Sequence, residues 1–122
     1  MKHEEDRQCK FLTQWRCANE RRIKELRWLY HVPNGGKRTA ITGAILKSMG
    51  VRPGFWDYIL PVRRGASLGL IIEMKHGKNK LTPEQQEFGD HMLEEGWCTA
   101  VCYDWTSAAS TIAAYLGHSR GF

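Results

Sequence analysis

Asp57, Glu73 and Lys75 are the residues of this chain whose types and spacing best fit a chemical task. Hydrolysis of a phosphodiester at neutral pH calls for a hard divalent cation held by carboxylate oxygens, which polarises the phosphate and activates water. A lysine beside those carboxylates can orient or help deprotonate the water and offset the negative charge that develops. An isolated Glu-x-Lys is usually an ordinary surface pair. Here it ends the run Leu68-Gly-Leu-Ile-Ile-Glu-Met-Lys75, whose five large apolar side chains predict a strand covered on both faces. Strand alternation puts Ile71, Glu73 and Lys75 on one face and Leu70, Ile72 and Met74 on the other. Two charges on a buried face cost several kcal/mol each unless they are well paired or bind something.

Asp57 supplies the second carboxylate. Phe55-Trp-Asp-Tyr-Ile-Leu60 follows the turn signal Arg52-Pro-Gly54 and predicts a strand closed by Pro61. The short basic link 62–67 predicts a hairpin joining it to the Glu73 strand. Antiparallel neighbours of this kind bring Asp57 and Glu73 side by side, and two adjacent carboxylates favour a cation between them.

The elements that must hold these residues follow from the patterning. Residues 3–18 predict a helix with Gln8, Phe11, Leu12, Trp15 and Ala18 on one face, and Glu4 one turn before Gln8. Arg21–Arg27 predicts a basic continuation, and Trp28–Val32 a short strand running into the turn Pro33-Asn-Gly-Gly36. A helix is expected from about Arg38 to Met49, with Ile41, Ala44, Ile45 and Met49 spaced for burial. Lys37 and Arg38 sit at its start, where free backbone N–H groups also favour anions. A phosphate-binding P-loop is excluded, because Arg38 stands where Ser or Thr is needed and the earlier glycine is missing.

Thr82-Pro-Glu-Gln85 reads as a capping box opening a helix that Gly96 ends, and capping alone would account for Gln85. Gln85 nevertheless shares a face with Phe88 and Met92, so it points toward the sheet. A strand over 97–103 and a last helix over about 106–116 complete the order. That last helix carries Ala109, Ile112, Ala113 and Leu116 on its apolar face. The expected fold is α/β, a restriction-endonuclease-like core with one mixed β-sheet flanked by α-helices and a central antiparallel pair carrying the site.

Taken together and in order, 32–38 (Val-Pro-Asn-Gly-Gly-Lys-Arg), 49–54 (Met-Gly-Val-Arg-Pro-Gly), Asp57, Ile72-Glu-Met-Lys75 and Leu81-Thr-Pro-Glu-Gln85 resemble the virus-type replication-repair nuclease (VRR-NUC) family. That family belongs to the PD-(D/E)xK nuclease superfamily, and the likeness runs from about Glu4 to Leu116. Stand-alone members of this size are similar to phage proteins, and a related domain ends a Fanconi-associated repair nuclease. The resemblance implies a divalent-metal DNA nuclease acting on branched or flapped structures, similar to Holliday-junction resolvases. It implies Asp57 and Glu73 as metal ligands, Lys75 as the catalytic lysine, and Gln85 as a glutamine facing the site. It also implies a glutamate from the first helix, with Glu4 the better match and Glu5 the alternative. One departure is visible: the family often has proline before the aspartate, where this chain has Trp56.

The 122 residues suffice for one domain, 1–122, with one core. Lys and Arg number 18 against 13 Asp and Glu, a net charge of +5 that favours an anionic partner. Arg16, Arg21, Arg22, Lys24 and Arg27 crowd the first third, and Lys37, Arg38, Arg52, Lys78 and Lys80 are the expected DNA contacts. No apolar run approaches a membrane span, and the charged start has no hydrophobic stretch after it, so a cytoplasmic protein is expected, in a host cell if phage-encoded. The four cysteines lack zinc spacing and are expected as buried free thiols. His76, next to Lys75, is the one histidine placed to touch substrate.

The leading expectation is a Mg²⁺- or Mn²⁺-dependent endonuclease, since an all-oxygen ligand set suits these cations. A homodimer is expected, because a two-fold dimer matches a symmetric four-way junction. The alternatives are a basic DNA-binding module without catalysis, or a nuclease preferring flaps or single strands.

Overall fold

The order of the sheet is the order of the chain: β1 (Tyr30–His31), β2 (Tyr58–Leu60), β3 (Leu70–Met74) and β4 (Cys98–Cys102) lie side by side. In the computed structural model, which describes residues 2–33 and 39–118, β1–β2 and β2–β3 pair antiparallel and β3–β4 parallel. The sheet is therefore mixed, as the sequence predicts, with an antiparallel pair at its centre. Lys37 and Arg38 lie outside the described residues, as do the turn at 34–36 and the tail from 119.

Helices α1 (Lys2–Asn19), α2 (Ala40–Ser48), α3 (Pro83–Glu94) and α4 (Trp105–Tyr115) accompany the sheet. Leu70, Ile72 and Met74 share one face of β3 and meet Leu12 and Trp15 of α1 and Ala108, Ala109 and Ile112 of α4 in the main core. The alternation of β3 thus frees its opposite face, with Ile71, Glu73 and Lys75, for α3 and the site. The predicted apolar face of α4 is buried along its length. Its start is capped by Asp104, whose side chain accepts from the Ser107 N–H.

Three expectations need correcting. The strands are shorter than their apolar runs, and residues 51–57 form an irregular lead into β2. The basic stretch after α1 turns and closes into a short 3₁₀ helix, Lys24–Trp28, anchored by buried Leu26. Most informative is α2: the spacing of Ile41, Ile45 and Met49 predicts burial, yet no residue of α2 is buried. The periodicity is that of an amphipathic helix, and none of the described residues buries its apolar face.

The four cysteines are free as expected. Only Cys102 is fully buried, however, and Cys17 is exposed on α1. Burial raises the Cys9 thiol to about 12, which leaves it an unreactive packing residue beside Tyr58. Among the described residues no helix is long and apolar enough to cross a membrane.

Candidate active site

The register of β2 and β3 places the two carboxylates. Tyr58 pairs with Ile72, so one further step brings Asp57 opposite Glu73. Two hydrogen bonds lock this junction: the Asp57 N–H donates to Glu73 Oε1 at 3.0 Å, and the Met74 N–H donates to Asp57 Oδ2 at 2.8 Å. Each carboxylate is held by the other strand's backbone, so both are positioned by the ladder itself.

Glu73 is 4% exposed and Lys75 8%, the only charged residues among the buried ones described. Glu73 Oε2 accepts from Gln85 Nε2 at 2.8 Å and stands 3.3 Å from Lys75 Nζ. Lys75 is fixed by its own N–H, which donates to the Cys102 carbonyl of β4. Asp57, Glu73, Lys75 and Gln85, chosen from sequence, therefore converge on one cavity of about 350 Å³.

Gln85 performs both functions open to it. Its Oε1 accepts from the Thr82 N–H at 3.0 Å, closing the capping box, while its Nε2 reaches Glu73. The side-chain amide is divided between the end of α3 and the site.

The first helix contributes differently from the leading expectation. Glu5 lines the cavity and accepts from Asn79 Nδ2 at 3.2 Å. Glu4 turns to its own helix, accepting from Gln8 Nε2 at 2.8 Å and lying 3.4 Å from Arg7. That hydrogen bond from Gln8 is the main reason its carboxyl is held below the ordinary value. Gln8 in turn accepts from the Trp105 N–H at 2.8 Å, tying α1 to α4. Of the two glutamates weighed from sequence, Glu5 is the one on the cavity wall.

Two contacts that support the site, one at Trp56 and one at Gly54, escaped the sequence reading. Trp56, in the place where the resembling family often has proline, is buried, and its Nε1 donates to the Gln85 carbonyl at 2.9 Å. Its ring lies against Gly89, where a Cβ would come within 2.4 Å of it. The signal was a glycine inside an otherwise regular helix, which implies close approach by a neighbour. Gly54, at φ +113°, likewise lets the preceding loop press on the Glu84 backbone.

The electrostatics of the pair are those of a site short of positive charge. Burial, and then the charge of Asp57, push the Glu73 carboxyl up to about 7, against the opposing pull of Lys75. Burial also raises Asp57, against the hydrogen bond from Met74 and the charge of His31. Among the described residues no three His, Cys, Asp or Glu side chains stand together as a ready-made cage. Asp57 and Glu73 form a close pair, and Glu5 shares their cavity. An all-oxygen donor set with raised acidities fits a hard divalent cation, which would relieve the repulsion.

Of the expected DNA contacts, Lys78 and Lys80 are exposed on the loop after β3, flanking Asn79. Arg52 is exposed and lines a neighbouring groove of about 840 Å³ that shares Pro53, Phe55 and Glu84 with the cavity. His76 is half-buried beside Lys75.

No family model matches the sequence, and no curated protein matches it. A solved structure described as a "VRR_NUC domain protein" is similar, with a TM-score of 0.76 and 29% sequence identity over 93% of this chain and 88% of that one. That likeness over nearly the whole chain, together with a mixed four-stranded sheet carrying carboxylates and a lysine at its central pair, identifies the chain as a VRR-NUC domain with the nuclease fold.

Proposed function

We propose that this VRR-NUC domain is a Mg²⁺- or Mn²⁺-dependent DNA endonuclease, selective for branched DNA in the manner of a Holliday-junction resolvase and working as a homodimer. The observation that carries the reading is the convergence of Asp57, Glu73, Lys75 and Gln85 on one cavity, with Glu5 on its wall. Asp57 and Glu73 would hold the cation with help from Glu5. When bound, it would supply Lewis-acid activation of the phosphodiester and of the attacking water.

The chain's own residues set up the rest. Lys75 Nζ, held at Glu73, is placed to orient the attacking water and balance charge on the phosphate. Gln85 fixes the rotamer of Glu73 and occupies one of its lone pairs. Lys78, Lys80 and Arg52 are the candidates for holding the DNA backbone on either side of the cavity, with Lys37 and Arg38 adding to them.

The test is cleavage of single-stranded, duplex, flap and four-way-junction DNA with Mg²⁺, Mn²⁺ or EDTA, using the parent and Lys75→Ala. Metal-dependent cutting of the junction, lost in the variant, is the expected result. Binding without cutting in either metal would replace the enzyme with a DNA-binding module, and preference for flaps or single strands would remove the resolvase assignment.

A further inference from the structure

We infer that the groove beside the catalytic cavity seats one unpaired nucleobase of the cleaved strand, the base next to the scissile phosphate. The inference rests on the nuclease reading above and deepens it. The groove, of about 840 Å³, lies between residues 52–55 and α3 and shares Pro53, Phe55 and Glu84 with the cavity of Asp57 and Glu73. Its α3 wall is a single helical face, since Glu84, Glu87, Phe88 and His91 are spaced three, four and seven apart. A strand whose phosphate reached the cavity would bring its adjoining base to this groove.

The floor is aromatic and fixed. Phe55 and Phe88 are both half-buried, with ring centroids 4.8 Å apart and planes tilted by 40°. The segment that carries Phe55 is pinned on both sides of it. Gly54 lets the backbone lie against the Glu84 carbonyl, where a Cβ would come within 2.9 Å. Trp56 Nε1 donates to the Gln85 carbonyl at 2.9 Å. The rings are thus held in place by the fold, and little ordering cost opposes a base that stacks on them. Aromatic platforms of this kind are how proteins hold unpaired strands.

The rim decides which part of a nucleotide enters. Glu84 and Glu87 are exposed on one wall, against Arg52 on the other. Two carboxylates repel a phosphate, so the sugar-phosphate chain is disfavoured along the groove, while Arg52 can take the phosphate of a neighbouring nucleotide. A neutral base meets no such repulsion. Carboxylate oxygens accept from the exocyclic amino groups of cytosine and adenine, whereas thymine presents a carbonyl oxygen in that place. The base that fits is therefore an unpaired cytosine or adenine. A branch or flap supplies one cheaply, and a continuous duplex must be unpaired to do so.

The experiment uses flap and four-way-junction DNA in which 5-iododeoxycytidine replaces one nucleotide at a time near the branch. The DNA is irradiated with the full chain in EDTA, so that binding is read without cutting, and cross-linked peptides are mapped by mass spectrometry. Cleavage in Mg²⁺ or Mn²⁺ is measured in parallel on substrates with cytosine, thymine or an abasic site next to the cut. The parent, Phe88→Leu and Glu87→Gln are compared, with circular dichroism as the check on folding. The expected result is a cross-link to Phe55, Phe88 or His91 from one nucleotide position, weakened about 10-fold in Phe88→Leu. An abasic site should slow the parent about 10-fold and Phe88→Leu much less. Cytosine should be preferred to thymine about 5-fold, and Glu87→Gln, whose amide donates as well as accepts, should erase that preference.

Cleavage indifferent to an abasic site overturns the seat and leaves the nuclease standing. So does a cross-link that maps outside residues 52–55 and 84–91, or an abasic penalty as large in a folded Phe88→Leu as in the parent. A base preference unchanged in Glu87→Gln, an exposed position that folding tolerates, overturns the role of the rim. A parent that neither binds nor cuts any of these DNAs removes the nuclease reading and the seat with it.

Discussion

Gln85 and Glu73 are joined by a 2.8 Å hydrogen bond from Nε2 to Oε2, while the other end of the same amide, Oε1, accepts from the Thr82 N–H at 3.0 Å. The start of α3 and a carboxylate of β3 thus depend on one side chain. Separating the two roles predicts different losses. Thr82→Ala removes the oxygen that caps Gln85 N–H and should cost about 1 kcal/mol of stability, with cleavage close to the parent's well below the melting temperature. Gln85→Ala should cost a similar amount and in addition lower cleavage about 10- to 100-fold, as loss of a residue that orients a metal ligand does. Equal activity in both variants would reduce Gln85 to a cap.

Asp57 gives the opposite combination of effects. Its carboxylate is buried beside Glu73, and its acidity is weakened by that burial. Asp57→Asn keeps an oxygen for the Met74 N–H but removes a charge. The metal-free protein should therefore melt at a higher temperature near pH 8, while cleavage falls about 100-fold or more. Thermal unfolding in EDTA alongside cleavage in Mg²⁺ checks both halves. A variant that is less stable and still active would show that the carboxylate is there for structure.

The same electrostatics set a pH dependence with a definite sign. Folding raises Glu73 from its ordinary value of 4.5 to about 7. A raised carboxyl binds its proton more tightly in the folded state. Its contribution to stability is thus fully present below pH 4.5 and is lost as pH rises through 7. Without metal, the unfolding free energy should fall between about pH 5 and pH 8 by an amount on the order of a few kcal/mol, and the melting temperature with it. Glu73→Gln should flatten that slope. Mn²⁺ should restore stability most at the upper end, where both carboxylates are ionised. A melting temperature that rises over this range in EDTA, in the parent but not in Glu73→Gln, would contradict the assignment.

Much of this site was legible in the sequence because strand alternation and register are local rules. Glu73 and Lys75 had to share a face, and a short link had to fold Asp57 back beside them. The capping box was equally plain from Thr82 and Gln85, since it involves residues three apart. What could not be read is what depends on long-range packing. Trp56 fits against Gly89 across 33 positions of chain, and no period marks that contact. The choice between Glu4 and Glu5 turns on how α1 is rotated, which Gln8 settles through its bond to Trp105 at the far end of the sequence. For α2 the helical periodicity was read correctly and the burial was not, because an amphipathic pattern marks an apolar face without saying what packs on it.

The Trp56–Gly89 contact carries its own prediction. A methyl group at position 89 would stand 2.4 Å from the Trp56 ring, with no flexible chain end to give way. Gly89→Ala gains helix propensity of up to about 1 kcal/mol but should still lose about 1–3 kcal/mol to overpacking. Because Trp56 Nε1 holds the Gln85 carbonyl, displacement of the ring should also disturb Gln85 and slow cleavage. Trp56→Phe keeps most of the packing and loses only the hydrogen bond, so it should be milder in stability. Denaturant unfolding of the two variants distinguishes them. A Gly89→Ala protein more stable than the parent would mean that α3 can slide away from the ring at no cost.

Glu5 and Glu4 are neighbours in sequence with opposite surroundings, which makes them a sensitive test of how α1 is set. Glu5 faces the cavity of Asp57 and Glu73 and is steadied by Asn79, whose carbonyl accepts from the Tyr103 hydroxyl at 3.0 Å. Glu4 spends its oxygens on Gln8 and Arg7. Glu5→Gln should therefore weaken Mn²⁺ binding, read by calorimetry or by the metal-dependent rise in melting temperature, and reduce cleavage about 10-fold or more. Glu4→Gln should leave metal binding near the parent's, because it loses only an exposed pair within its own helix. The reverse pattern would mean that α1 rotates by one position when the cation binds. Glu4 would then be the carboxylate of the loaded site, as the sequence resemblance alone implied.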